Sequence, residues 1–235
     1  DVTYNGGNDV AFSKLKLAGA GAADLLYSTY LGGSGDDEAY DIAVDYADDV
    51  YIAGSTRSNN FPASGGPPFN GTFDAFVVKL RPLGLGAADL IYGTKFGGSA
   101  QDYGGGVAVD GAAQVFLTGS TASANFTPIF AAYQPTYGGG SYDAWVAMLG
   151  ADGTTVFSST YLGSTGEEHG LVVELDPSWN PVVTGMTNSA TFPVTGGAYD
   201  PTFNGDYDVF FTQFTPLGLM TESSFYGGSA ADIPY

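Results

Sequence analysis

The chain has 235 residues, with 25 acids against 6 bases, a formal net charge of −19, and no cysteine. That charge excludes electrostatic binding to nucleic acid or to an anionic membrane surface, and the missing thiols exclude disulfides and thiolate metal sites. With 44% hydrophobic residues the chain can bury a core rather than stay disordered, and no apolar run approaches the roughly 20 residues that span a bilayer, so no membrane insertion is expected.

In chain order, the first strands expected lie between Asp9 and Leu31, an acid-led apolar segment and a second segment ending Tyr27-Ser28-Thr29-Tyr30-Leu31. Next comes the loop phrase Gly32-Gly33-Ser34-Gly35-Asp36-Asp37, then Ile42-Ala43-Val44-Asp45, a turn over 46–49, and Val50-Tyr51-Ile52-Ala53-Gly54-Ser55-Thr56; the pair reads as a hairpin. A Pro/Gly-rich loop leads to Asp74-Ala75-Phe76-Val77-Val78-Lys79-Leu80 and, after another turn, to a strand ending at Phe96. The order then starts again. The glycine phrase recurs at Gly97-Gly98, Gly163-Ser164 and Gly227-Gly228, and its closing acid falls at Asp37, Asp102, Glu168 and Asp232. Asp9, Asp74, Asp143 and Asp208 lead the same strand in each copy, and Phe61, Phe126 and Phe192 recur in the loops.

A fixed period of this length means one supersecondary unit copied and stacked. No segment has the length and period of an amphipathic helix. Four short antiparallel strands per unit predict an all-β fold, a β-propeller of four-stranded blades. The expected division is a half blade over 1–38, blades over 39–103, 104–168 and 169–229, and the start of a further first strand over 230–235, all in one domain. The first strands should lie innermost. Because the chain begins with Asp1 and holds unmatched halves, it reads as a piece of something longer, completed by the rest of a polypeptide or by another copy.

The phrases Tyr27 to Asp37, Ile42 to Asp45, Val50 to Thr56, Asn60-Phe61-Pro62 and Asp74 to Leu80 closely resemble the bacterial and archaeal SBBP beta-propeller repeat. The resemblance covers nearly the whole chain. It implies a large secreted or surface-attached protein in which the repeats serve as scaffold or interaction modules, and it brings no catalytic signature.

The acids are the first candidates for chemistry. Asp36, Asp37, Asp102, Glu168 and Asp232 sit on glycine-rich loops and offer the hard oxygen ligands that suit Ca²⁺. Against this, repetition in every blade favours acids that fix their own loops by accepting backbone N–H groups. Asp45, Asp110 and Asp176, and the Asp9 set, invite the same structural reading. Paired carboxylates also serve glycosidases, but here they are a repeat feature. The sole histidine, His169, leaves a Ser–His–Asp triad or a zinc site hard to build, so it reads as part of a polar loop. Aromatics before and within the third strands (Tyr4, Phe69, Tyr137, Phe203) suit blade packing or sugar stacking. Asn70-Gly71-Thr72 and Asn125-Phe126-Thr127 match the glycosylation sequon. The expectation is a non-catalytic extracellular structural or interaction module of a surface protein or self-assembling filament, with no cofactor except calcium; the alternatives are a carbohydrate-binding propeller and a glycan-active hydrolase or lyase.

Overall fold

The structure of the protein, a computed structural model, describes residues 3–234. It contains fourteen strands among those residues: β1 (Val10–Leu15), β2 (Leu25–Leu31), β3 (Asp37–Val44), β4 (Val50–Thr56), β5 (Asp74–Leu80), β6 (Leu90–Phe96), β7 (Asp102–Val109), β8 (Val115–Thr121), β9 (Asp143–Leu149), β10 (Val156–Leu162), β11 (Glu168–Leu175), β12 (Pro181–Thr187), β13 (Asp208–Phe214) and β14 (Met220–Tyr226). Helix is confined to two single 3₁₀ turns, Gly21–Asp24 and Gly86–Asp89. Strands β3 to β6, β7 to β10 and β11 to β14 each form a four-stranded antiparallel sheet in sequence order, and β1 and β2 form a two-stranded one. These are three blades and a half blade, as the repeat predicts.

The sheets stack in chain order. The first strands β3, β7 and β11 lie side by side at the axis. Three apolar clusters fill the gaps. Val10, Phe12 and Leu31 of the half blade meet Phe61, Phe76 and Val78 of the first blade. Tyr51, Val77 and Phe96 meet Trp145, Phe126 and Tyr161. Phe116, Met148 and Leu162 meet Phe192, Phe210 and Phe225. Position in the stack decides burial. Strands β8 and β9, covered on both faces, are buried at every residue, whereas β12 and β13 of the last blade alternate buried and half-buried. Continuous apolar runs belong to strands covered on both faces and alternation to strands covered on one.

A glycine in each second strand makes room for the largest core side chain. A Cβ on Gly119 would lie 2.7 Å from Trp145 Nε1 and would also strike the Tyr103 carbonyl; Gly54 and Gly185 stand in the same relation to Phe76 and Phe210. Opposite each glycine the first strand bulges, with register shifts between Ala39 and Asp41, Gly104 and Val107, and Gly170 and Val172. The local departure from a flat ladder lets an aromatic ring lie across the sheet.

The structure corrects several expectations. Asp37, Asp102 and Glu168 are not in the loops between blades but are the first residues of β3, β7 and β11. His169 is likewise in a strand, paired with Met186. Residues 231–234 form no strand; among them only the Asp232 N–H finds a backbone partner, the Tyr207 carbonyl, and Tyr235 lies outside the described residues. The axis beside β3 is not crowded: Tyr40, Ile42 and Val44 are each about half exposed, because no first strand lies on their far side.

Candidate functional site

The period brings two acids together at every blade tip. The acid that begins each first strand accepts local donors. Asp37 takes the Gly33 N–H (2.7 Å), the Thr56 hydroxyl (2.5 Å) and the Ser58 hydroxyl (2.7 Å). Asp102 repeats this with Gly98 N–H (2.7 Å), Thr121 and Ser123 (2.9 Å). Glu168 keeps the Ser164 N–H (2.8 Å) and the Thr187 hydroxyl (2.9 Å), and Asp232 keeps the Gly228 N–H (2.7 Å). These bonds close the glycine turn onto the next hairpin. The geometry is that of acids fixing their own loops.

The acid that leads each third strand is placed differently. Its Oδ2 accepts a backbone N–H from the preceding loop in three copies: Asn5 to Asp9, Gly138 to Asp143 and Asn204 to Asp208. Its Oδ1 is buried without any hydrogen-bond partner in all four, at Asp9, Asp74, Asp143 and Asp208. That oxygen faces the first acid across the leading glycine. From the point a Cβ would occupy on Gly32, Asp9 Oδ1 is 2.5 Å and Asp37 Oδ2 2.9 Å away; on Gly97 the values are 2.7 Å for Asp74 and 3.2 Å for Asp102; on Gly163 they are 2.9 Å for Asp143 and 2.6 Å for Glu168. Burial, followed by the charge of Asp102, pushes the Asp74 carboxyl up to about 6. Burial pushes Asp143 up to about 7, with Glu168 adding to it. Burial also raises Asp102 and Glu168. Sequence reading found both periodic sets but not their pairing, because the partners are about 25–30 residues apart and meet only when the blade closes.

The dense acidic run from Asp36 to Asp49 disperses. Asp36 pairs with Arg57 at 3.2 Å and accepts the Asn8 N–H. Asp41 accepts the Val107 N–H of the next blade at 2.8 Å. Asp45 and Asp49 hold Lys79 at 3.3 and 3.1 Å, and Arg81 grips Asp49 with two bonds of 2.7 Å. Asp45, Asp110 and Asp176 each close their hairpin turn by accepting two backbone N–H groups. Among the described residues no group of three or more acids or histidines converges on a metal position.

One constellation is not repeated. Ser120 Oγ lies 2.8 Å from His169 Nδ1, His169 Nε2 lies 2.9 Å from Glu167 Oε1, and Tyr207 donates to Glu167 Oε2 at 3.0 Å. A sole histidine made such a triad hard to build from the sequence, and nothing local links Ser120 to Glu167, 47 residues away. The order hydroxyl, imidazole, carboxylate is that of a nucleophile and its base, but Ser120 is 4% exposed and the Tyr142 ring packs on His169 at 5.2 Å. No substrate carbonyl can approach a hydroxyl so enclosed. The chain of bonds ties the second blade to the third. His169 holds the Glu167 carboxyl below the usual range.

Aromatics singled out before the third strands pack against their own blades: Tyr137 on Tyr161 at 5.9 Å and Phe203 on Phe225 at 6.0 Å. Of the sequon residues, Asn70 is exposed in the β4–β5 loop, and Asn125 uses its Oδ1 to accept from Ser99 N–H and Oγ at 3.0 Å.

The last feature is a groove. In each full blade the loop between second and third strands doubles back along its own fourth strand, with bonds between Gly65 and Gly93, Phe130 and Ser159, and Thr195 and Ser223. Beside β2 no described residue does this. There a groove of about 950 Å³ remains, lined among others by Tyr27, Tyr30, Asn60, Pro62 and Leu90.

No curated protein matches the chain. Residues 26–62 match the family model of the SBBP beta-propeller repeat, a span that runs from β2 of the half blade through β3 and β4 of the first blade. That segment is similar to an SBBP beta-propeller repeat, and the chain that carries it is an all-β, propeller-type stack of antiparallel blades.

Proposed function

We propose that this chain is a non-catalytic structural and interaction module of an extracellular or cell-surface protein, and that it works by joining its half blade to further β-structure. The observation that carries this reading is the unfinished half blade. Among the described residues, strand β1 pairs only with β2, and none runs along β2 as the β4–β5, β8–β9 and β12–β13 loops run along their own fourth strands. Leu15, Leu25 and Leu26 are more than half exposed or close to it, and Leu17 is 91% exposed. A two-stranded sheet with exposed leucines is marginal in water, and the edge of such a sheet is a template for pairing. The acidic surface keeps such a module soluble between its contacts. Repeating the contact head to tail without closure would give a filament.

Light scattering on the whole chain tests this. Association should grow with concentration, and Leu25→Lys with Leu26→Lys, both at exposed positions, should reduce it while leaving the thermal transition of the blades in place. Deleting residues 1–31 should abolish it. A chain that stays monomeric at every concentration would contradict the reading.

A further inference from the structure

We propose that the blade-tip carboxyl pairs, Asp143 with Glu168, Asp74 with Asp102, Asp208 with Asp232 and Asp9 with Asp37, are binding sites for a hard divalent cation of the Ca²⁺ class. The inference stands apart from the docking role of the half blade. Its first support is the orphaned oxygen. Asp74, Asp143 and Asp208 are fully buried, yet their Oδ1 atoms have no donor. Leaving a buried acceptor unsatisfied is costly, and more so for a charged one. One such atom is an accident; the same atom in four copies is a design feature.

Its second support is charge. Both members of the pair are acids in all four copies, including the third, where Glu168 replaces Asp but keeps the carboxylate. Asparagine would accept the same N–H and hydroxyl donors without placing two negative charges side by side. Retaining both charges calls for a positive partner, and the protein supplies none in direct contact. The ion pairs among the described residues engage Lys14, Arg57, Lys79, Arg81 and His169 with other acids. The charge of Lys95 reaches Asp74, but among the described residues no lysine or arginine forms an ion pair with Asp143 or Glu168. Because the residue between the two acids is a glycine, both carboxylates can close on the same stretch of backbone: a Cβ there would strike an oxygen of each at Gly32 and Gly163.

Carboxylate oxygens select hard cations, and calcium tolerates an irregular shell filled out by backbone carbonyls and water. Each pair offers two side chains, fewer than a dedicated high-affinity loop. The affinity therefore belongs to the class of extracellular modules, with Kd about 10⁻⁴–10⁻³ M. Such sites fill in a calcium-rich exterior and empty where calcium is scarce.

The test uses the whole chain, treated with chelator, at neutral pH. Thermal unfolding is followed while CaCl₂ is raised over roughly 0.1–10 mM, with NaCl at matched ionic strength as the control, and calorimetry gives the number of ions bound. The midpoint should climb with the logarithm of calcium concentration, as expected for a ligand of the native state. Asp143→Asn should lower both the climb and the stoichiometry by one site. Asp208→Asn, in the last blade, should do the same and gives a second, independent variant, the thermal transition without calcium reporting whether each variant is folded. No climb and no binding heat would overturn the proposal, as would an undiminished climb in both variants. A chelated protein that is indifferent to calcium but stabilised by mild acid would also overturn it, since a proton would then be neutralising each pair.

Discussion

Trp145 is the side chain whose loss should cost most. It is 1% exposed, stacks between Phe96 at 5.4 Å and Phe126 at 5.2 Å, and donates its Nε1 to the Tyr103 carbonyl at 3.0 Å. Truncating it to alanine should cost about 3–5 kcal/mol. His169→Ala removes a half-buried ring and two hydrogen bonds and should cost about 1–3 kcal/mol, with the carboxylate of Glu167 keeping Tyr207. Equal melting temperatures for the two variants would contradict the packing. Gly119→Ala should rival the tryptophan change, because the added methyl strikes Trp145 and the Tyr103 carbonyl, and a main-chain atom cannot swing aside; denaturant unfolding would show it. At this scale the sequence was legible where a residue type recurs. Phe76, Trp145 and Phe210 were readable as core from their common place in the third strand. The Ser120–His169–Glu167 chain was not, since it joins two blades through a single unrepeated histidine.

At the scale of the element, hairpins were legible because their turns announce themselves. Asp45, Asp110 and Asp176 each cap a turn, and a residue in the left-handed region follows at Asp48, Ala113 and Trp179, with φ of 62°, 61° and 64°. Strand composition alone could not tell that residues 230–235 would fail to form a strand. A strand needs a second strand to pair with, and among the described residues 231–234 make only the single backbone bond from Asp232 to Tyr207. The β4–β5 hairpin has a further consequence. Its ends are tied by Asp45, Asp49, Lys79 and Arg81, and hydrogen bonds from Arg81, then Lys79, hold the Asp49 carboxyl below its ordinary value. A carboxyl with a lowered folded pKa adds stability above its unfolded value of about 3.9 and loses it as pH falls through the folded value. Asp49→Asn should therefore destabilise the protein at pH 7, and the gap from the parent should close below roughly pH 4. Melting curves across that range check the sign; a gap that widens in acid would refute the role of this network.

For the whole molecule, charge and packing divide the labour. The blades are held by three apolar clusters, and neighbouring sheets are linked by carboxylates that accept from the next unit, as Asp41 does from Val107. Of the six bases, Lys14, Arg57, Lys79 and Arg81 are paired within the half blade and first blade, so the acidic excess is spread over the later ones. The overall order of the stack was legible from the period, since repetition of about 65 residues leaves few other solutions. The shape of its open end was not. Nothing in the composition of Leu25 to Leu31 shows that no described residue runs along it, because in the other blades the covering comes from a loop more than 25 residues away.

Amide hydrogen exchange of β1 and β2 at a series of protein concentrations tests most directly whether the half blade takes up further β-structure. The amides of β4, β5, β8 and β9, buried between sheets, should exchange slowly at every concentration. Those of residues 10–31 should exchange fast in dilute solution and become protected as concentration rises and the free edges pair. Protection of β1 and β2 that is already complete in a dilute monomer, and does not change with concentration, would contradict it.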